Sequence, residues 1–128
     1  MRTAARETVF QYLFSEFFSE PVDKFLEALA KNNKLSEKDF DFAKDLLLHA
    51  EEKKGEYLSY IADASENFKL DRIHVADKCA LIIGMAEIDN YPDTPRIVVI
   101  DEAVKLAAKY STEKSADFVN GIMANYKG

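Results

Sequence analysis

Cations and aromatic rings near the two ends of the chain are the side chains best suited to binding a ligand. Arg2 and Arg6 lie one helical turn apart near the N-terminus, with Thr3 beside them. A second set, nearer the C-terminus, alternates basic and aromatic residues: Lys105, Lys109, Tyr110, Lys114 and Phe118. Because cations contact phosphates and rings stack on unpaired bases, this composition is typical of a surface for single-stranded RNA. A plainer interpretation also fits, in which the cations are solvated and both rings belong to the core.

Residue arrangements typical of enzymes are not found in the sequence. His49 and His74 are 25 residues apart and Cys79 lies in an apolar run, so the spacing does not suit a metal site. Asp101 and Glu102 are adjacent on the polar side of a helix, where they do not converge as an acid–base pair. The four glycines form no phosphate-binding loop. The sequence therefore predicts a non-catalytic protein without a metal or a cofactor.

Chain length and composition predict one globular domain in the cytoplasm. The 128 residues are 48% hydrophobic and 31% charged, which is enough to build a core. The longest apolar run, residues 79–86, is far shorter than the roughly 20 residues that a membrane span requires. The N-terminus shows no apolar leader segment, and a single cysteine allows no internal disulfide. We expect no membrane association.

The charge balance limits how the protein can bind RNA. The formal net charge is −6, and most of the acidic excess lies in residues 1–66, which carry 9 Lys and Arg against 14 Asp and Glu. An acidic protein repels a polyanion on average, so any RNA contact must come from a local basic patch. We expect the affinity of the isolated protein for RNA to be weak.

Helical periodicity runs through most of the chain, and no segment has the alternation of a β-strand. The predicted helices span about 3–19, 22–31, 36–55, 56–67, 72–89, 96–110 and 112–126. Ser36 is a predicted helix cap, either Ser111 or Thr112 is predicted to cap the last helix, and Pro95 suits a first helical turn. These elements predict an all-α fold of about seven helices, with two packed helical subdomains of approximately 1–68 and 69–128.

The fifth predicted helix differs from the others because it is apolar on every side between Cys79 and Ala86. Such a helix is typically surrounded by other helices. Gly84 lies in the middle of this helix and Gly121 in the middle of the last one, where glycine costs about 1 kcal/mol relative to alanine. We interpret both glycines as places where another helix approaches closely.

Three segments resemble the NusB family of bacterial transcription antitermination factors. The sequence IDEAVKLA at 100–107, followed eleven residues later by FVNGI at 118–122, is similar to the C-terminal signature of that family. The segment RETVFQYLF at 6–14 resembles the start of family members, and RIHVADKCAL at 72–81 resembles their fifth helix. Together the similar segments reach across nearly the whole chain.

The resemblance implies a non-catalytic antitermination factor that binds boxA-like RNA together with NusE, a small-subunit ribosomal protein, in an RNA polymerase complex. The residues that it implies for RNA binding are Arg2, Thr3, Arg6, Gln11, Phe14, Lys105, Lys109, Tyr110, Lys114 and Phe118. On the fifth helix, it implies that Asp77 and Glu87 contact NusE. Family members occur as monomers and as homodimers, so the oligomeric state stays open.

Departures from the family pattern leave an alternative function open. The family's N-terminal arginine cluster is reduced here to Arg2 and Arg6, and Ser111 stands where a glycine is usual. Fewer neutralised phosphates mean weaker binding with a shallower salt dependence. The alternative is a helical adaptor that binds only proteins, or an RNA or ribosome-assembly adaptor related to the NusB-like domain of ribosomal-RNA cytosine methyltransferases.

Overall fold

The computed structural model describes residues 2–65 and 70–128, and α-helix is the dominant structure in both segments. The helices are α1 (Thr3–Glu16), α2 (Phe25–Asn32), α3 (Glu37–Glu52), α4 (Lys54–Ala64), α5 (Val75–Asn90), α6 (Arg96–Tyr110) and α7 (Glu113–Asn125), with a short 3-10 turn at Leu70–Arg72. No strand occurs in the described segments. The prediction of an all-α fold with about seven helices is confirmed.

The predicted helix starts agree best with the structure where a capping residue begins the helix. The Ser36 hydroxyl accepts a hydrogen bond from the Asp39 N–H (3.1 Å) and begins α3. A capping box between Thr112 and Ser115 begins α7 in the same way. The fifth helix was predicted to begin at residue 72 but begins at Val75, because the 3-10 turn occupies the preceding residues. The predicted end of the fourth helix, at 67, lies outside the described residues.

Helix α5 forms the centre of the molecule, as its apolar sequence predicts. It packs against α1, α3, α4, α6 and α7. All residues from Cys79 to Glu87 are buried. These helices contribute to one continuous hydrophobic core, and the division into two subdomains stays a prediction.

The two helical glycines have different surroundings. A Cβ atom added at Gly84 would lie 2.8 Å from Met123 Cε and 3.4 Å from Ala103 Cβ, so glycine allows α6 and α7 to approach α5 closely. A Cβ atom at Gly121 would have no neighbour within 4 Å. The prediction of a close helix approach is therefore confirmed for Gly84 and is wrong for Gly121, which is exposed.

The helices in the described part of the chain are too short or too polar to cross a membrane.

Candidate nucleic-acid interface

The structure distributes the predicted site residues over a surface strip between α1 and α6, a buried ion pair, and a cavity at the N-terminal end of α5. The strip contains Thr3, Gln11, Phe14, Lys105, Lys109 and Tyr110, with Arg2 close to its N-terminal end. The ion pair contains Arg6 and Glu87. The cavity contains Asp77, Lys114 and Phe118.

Glu7 joins the two helices of the α1–α6 strip. Its carboxylate accepts a hydrogen bond from Lys109 Nζ (2.5 Å) and another from the Tyr110 hydroxyl. Gln11 Nε2 donates to the same tyrosine hydroxyl (3.2 Å). Partial burial of Glu7 raises its pKa, but the hydrogen bonds from Lys109 and Tyr110 outweigh burial and lower the pKa below its ordinary value. The Lys109 charge is thus already balanced within the protein, which reduces what it offers to a phosphate.

Four aromatic rings form a row beside this strip. The Tyr110 ring is stacked on Phe10 at a centroid distance of 4.6 Å, and Phe10 is stacked on Phe14 at 6.0 Å. Phe18 continues the row, 5.2 Å from Phe14. Tyr110 and Phe14 are each 37% exposed and Phe18 is 67% exposed, so three of these rings offer surface to a ligand. Sequence analysis missed Phe18, although its position one helical turn after Phe14 could have indicated it.

Two further cations on the surface keep protein partners. The Arg2 guanidinium lies over the Phe42 ring, 4.2 Å from its centroid. Lys105 is exposed and forms an ion pair with Asp101 (3.1 Å) one helical turn earlier in α6. A cation held over a ring keeps its charge, so Arg2 is still able to contact a phosphate.

Arg6 and Glu87 form a bidentate ion pair inside the protein. Arg6 Nε donates to Glu87 Oε1 (2.7 Å) and Nη2 donates to Oε2 (2.6 Å). Glu102 Oε1 accepts a third bond from Nη1 (3.2 Å). Burial alone lowers the pKa of Arg6, but the hydrogen bonds and charge of Glu87 outweigh it and raise the pKa, so the guanidinium stays charged.

Both residues are buried, and their expected roles in binding RNA and NusE stay predictions. Arg6 is 5% exposed and Glu87 is 1% exposed, whereas contacts with a phosphate or a protein partner require them at the surface. The pair instead fixes the first turns of α1 against α5 and α6. Residue spacing could not reveal this arrangement, because 81 residues separate the two partners.

A cavity of about 630 Å³ lies at the N-terminal end of α5, and we call it the α5–α7 cavity. It is lined by Arg72, Ile73, His74, Asp77, Thr112, Glu113, Lys114, Ser115 and Phe118. The 3-10 turn and the start of α5 supply one wall, and the first turns of α7 supply the other. Sequence analysis did not single out Arg72 and His74 as site residues, because the cavity forms only when these two segments meet.

Asp77 gives the α5–α7 cavity its chemical character. The side chain is 3% exposed, and its Oδ2 atom accepts a hydrogen bond from the Ser115 hydroxyl (3.0 Å). Its Oδ1 atom is buried and has no hydrogen-bond partner in the described residues. Burial raises the pKa of Asp77 above its ordinary value, against the opposing effects of Ser115, Ser111 and His74. A buried acceptor without a donor is costly for the folded protein.

We expect Asp77→Asn to stabilise the protein at pH 7. A carboxyl group whose pKa is raised on folding contributes stability at low pH and loses that contribution as pH rises above the unfolded value. The gain from Asp77→Asn should therefore shrink as pH falls towards the ordinary aspartate pKa of about 3.9. Thermal melts from pH 3.5 to pH 8 measure this difference, and a gain that grows at low pH would contradict it.

Metal and thiol chemistry find no support in the described segments. No group of three or more His, Cys, Asp or Glu side chains there is placed to hold a metal ion. Cys79 is fully buried, and burial raises the pKa of its thiol to about 12, so the thiol stays protonated.

Comparisons with known proteins agree with this architecture. The NusB family model matches residues 1–127. The transcription antitermination protein NusB of Finegoldia magna is 33% identical over 125 residues, which cover 97% of this chain and 91% of that protein. The NusB protein of Syntrophomonas wolfei is 34% identical over 128 residues, with coverage of 99% and 96%.

Solved structures match the fold over almost the whole chain. A structure of T. maritima NusB superimposes with a TM-score of 0.84 at 30% identity, covering 97% of this chain and 88% of that one. A crystal structure of the antitermination factors NusB and NusE in complex with dsRNA contains a chain that matches with a TM-score of 0.83 at 26% identity. That match covers 96% of this chain and 92% of the other.

These matches define the class of the protein, an all-α fold shared with antitermination factors. The chain covers 91% and 96% of the lengths of these two relatives, and the family model spans residues 1–127. The chain belongs to the NusB family. The family predicted from the sequence is thereby confirmed, and the predicted function, transcription antitermination, is the one that its relatives' names carry.

Proposed function

We propose that this protein acts in transcription antitermination as a non-catalytic factor that binds boxA-like RNA together with NusE. The observation that carries the proposal is the α5–α7 cavity, where an aromatic ring and exposed cations meet. A related structure contains NusB and NusE in complex with dsRNA. An antitermination role places the protein with RNA polymerase in the bacterial cytoplasm.

An unstacked RNA base suits the α5–α7 cavity. The Phe118 ring lines the cavity and offers a stacking surface, while the buried Asp77 carboxylate supports the cavity wall through its hydrogen bond with Ser115. Arg72 and Lys114 are exposed lining residues that contact the flanking phosphates.

The RNA strand continues from the cavity onto the α1–α6 strip. Tyr110 precedes the cavity residue Thr112 by only two positions, so the two surfaces adjoin. Further bases stack on the exposed rings of Tyr110 and Phe14, and Arg2 supplies a phosphate contact. Thr3, Gln11, Lys105 and Lys109 complete this polar edge.

The buried carboxylates and Arg6 act by positioning surface groups. Arg6 and Glu87 hold α1, which carries the strip, against α5. Asp77 holds α7 through Ser115. We propose that NusE binds exposed surface supported by these contacts, and that the acidic net charge of −6 attracts this basic partner and speeds encounter.

Fluorescence anisotropy of a labelled boxA-like RNA tests the proposal. The titration is run with the protein alone and with NusE, at two salt concentrations, against a scrambled RNA and against the same RNA annealed to its complement. We expect weak binding alone that tightens and becomes sequence-selective with NusE, with the single strand preferred. An absence of RNA binding in every condition, while the two proteins associate, would overturn the RNA role.

A protein-only adaptor is the second candidate function, and two observations favour it. Arg6 is buried, and the Lys109 charge is balanced by Glu7, so few cations remain for phosphates on an acidic protein. The adaptor predicts that Arg2→Ala leaves RNA binding unchanged. The RNA proposal predicts a lower affinity for RNA with a shallower salt dependence, since one phosphate contact on a single strand contributes a slope of about 0.7 in a log–log salt plot.

A further inference from the structure

A second cavity lies at the other end of α5, and we call it the tyrosine cavity. Its volume is about 430 Å³. The lining residues are Lys53, Glu56, Tyr57, Tyr60, Asp89, Tyr126 and Gly128. It shares no lining residue with the α5–α7 cavity, and Asp89 is twelve residues beyond Asp77 on the same helix. At 1.5 Å per helical residue, the two carboxylates are separated by about 18 Å along α5.

Asp89 forms the acidic floor of the tyrosine cavity. Its Oδ2 atom accepts hydrogen bonds from the Tyr57 hydroxyl (2.7 Å) and the Tyr126 hydroxyl (2.8 Å). Burial and the hydrogen bonds to Asp89 raise the pKa of both tyrosines, so both hydroxyls remain donors to the carboxylate. No lysine, arginine or histidine in the described part of the chain forms an ion pair with Asp89. A half-buried carboxylate is thus oriented by neutral donors and lacks a cation.

Aromatic rings surround this carboxylate. The Tyr60 and Tyr126 rings meet edge to face with centroids 5.0 Å apart, and the Tyr57 and Tyr126 rings do so at 6.5 Å. Tyr60 is half-buried and forms no hydrogen bond with Asp89, so its ring is the one most open to a ligand. Rings beside a carboxylate attract a flat or compact organic cation by cation–π and Coulomb interactions together.

Acidic surface continues beyond the cavity along the corner between α3 and α4. Glu56 lines the cavity and Glu52 is exposed beside the lining residue Lys53, while the charge of Lys54 is balanced by Glu16 (2.9 Å). A single small cation would use only the cavity carboxylates Asp89 and Glu56, whereas a chain with several cations would also use Glu52 outside the cavity. The charge pattern therefore favours a basic polypeptide segment over a free small molecule.

We propose that the tyrosine cavity docks an arginine side chain of a basic polypeptide segment, at a site separate from the RNA-binding cavity. The guanidinium group stacks on the Tyr60 ring and pairs with the Asp89 carboxylate, and neighbouring basic residues of the segment meet the exposed carboxylates of the α3–α4 corner. Lys53 is the cation among the lining residues and competes with the incoming guanidinium. The site leaves the α5–α7 cavity free, so both can be occupied at once.

Titration with short peptides tests this proposal on the full chain. The probe is acetyl-Gly-Arg-Gly-Arg-Gly-amide, and the matched probe carries citrulline, a neutral isostere, at both arginine positions. Chemical shifts in ¹H–¹⁵N spectra report the site, and tyrosine fluorescence reports the affinity because the chain has no tryptophan. We expect shifts at α4 and Asp89 with the arginine peptide, and binding weaker by about tenfold or more with the citrulline peptide.

Variants of the lining residues give effects of opposite sign. Asp89→Asn should lower the affinity for the arginine peptide by about tenfold, and Tyr60→Leu should lower it by about threefold. Lys53→Gln should raise the affinity for the arginine peptide, because a competing cation is removed. Asp63→Asn is the matched control, since it removes one exposed carboxylate from the same helix α4 outside the cavity, and it should change nothing.

Several results would overturn the proposal. Equal affinity for the two peptides would show that charge plays no part in binding. Chemical-shift changes confined to the α5–α7 cavity would show that the peptide has no separate site. An unchanged affinity for the arginine peptide in both Asp89→Asn and Tyr60→Leu would also overturn the proposal. Tyr60→Leu keeps the test valid if Asp89→Asn unfolds the protein, because Tyr60 does not take part in the hydrogen bonds to Asp89. A labelled boxA-like RNA in competition distinguishes this site from the RNA site, since the peptide should not displace it.

Discussion

Arg6→Ala lowers the free energy of unfolding by about 3–5 kcal/mol, the usual loss when one partner of a buried ion pair is removed. The substitution leaves the Glu87 carboxylate, which is 1% exposed, without its two guanidinium donors. Glu102 loses a hydrogen bond as well. A domain of this size is typically stable by about 5–15 kcal/mol, so a large share of the total stability depends on this contact.

Urea denaturation followed by circular dichroism at 222 nm measures this loss. The double variant Arg6→Met with Glu87→Leu should recover most of it, because replacing both charges with apolar groups leaves no buried charge unpaired. Lys44→Ala is the surface control, since it breaks an exposed ion pair with Asp41 and should hardly move the midpoint. A midpoint for Arg6→Ala close to that of Lys44→Ala would show that the buried pair contributes little.

Phe118→Ala weakens the binding of boxA-like RNA by about 5-fold to 150-fold, which corresponds to the loss of one base stacked on an aromatic ring. Phe118 is half-buried and lines the cavity that also holds Asp77 and Lys114. Its removal takes away the stacking surface while the cations at the cavity rim stay in place. The slope of affinity against salt should therefore be unchanged while the affinity falls.

Fluorescence anisotropy in the presence of NusE checks this expectation. Phe118→Leu serves as a second variant because it keeps an apolar side chain in the α7 packing and removes only the ring. Phe40→Ala is the matched control, since it shortens another half-buried phenylalanine on α3, outside the cavity. Wild-type affinity in both Phe118 variants, with the fold intact by thermal melt, would mean that the base is bound elsewhere.

Local patterns in the sequence predict much of the helical framework. Ser36 and Thr112 predict helix starts because a cap involves residues only three positions apart. The apolar run of α5 predicts its burial because every face of a surrounded helix must be apolar. Both features depend on neighbours in the chain, which is why a single sequence is sufficient to find them.

The site could be predicted only in part because its contacts join distant residues. Resemblance to a family identified Lys114 and Phe118, which line the cavity, but could not show that Arg6 turns inward to Glu87. A helical pattern places Arg6 on the polar side of α1 and gives no sign that a carboxylate 81 residues later lies opposite it. The unpaired Oδ1 atom of Asp77 is likewise visible only when the packing of α7 is known.

Helix α5 also fixes the distance between the two proposed binding sites, the α5–α7 cavity and the tyrosine cavity. It is enclosed by five other helices, with Asp77 near its first turn and Asp89 near its last. Neither carboxylate can shift relative to the other without disturbing the core, so the two cavities are held about 18 Å apart along the helix. A ligand that bridges them needs at least about six extended residues, and a matched linker would raise its overall affinity through effective concentration. The core therefore fixes the separation of the two proposed sites.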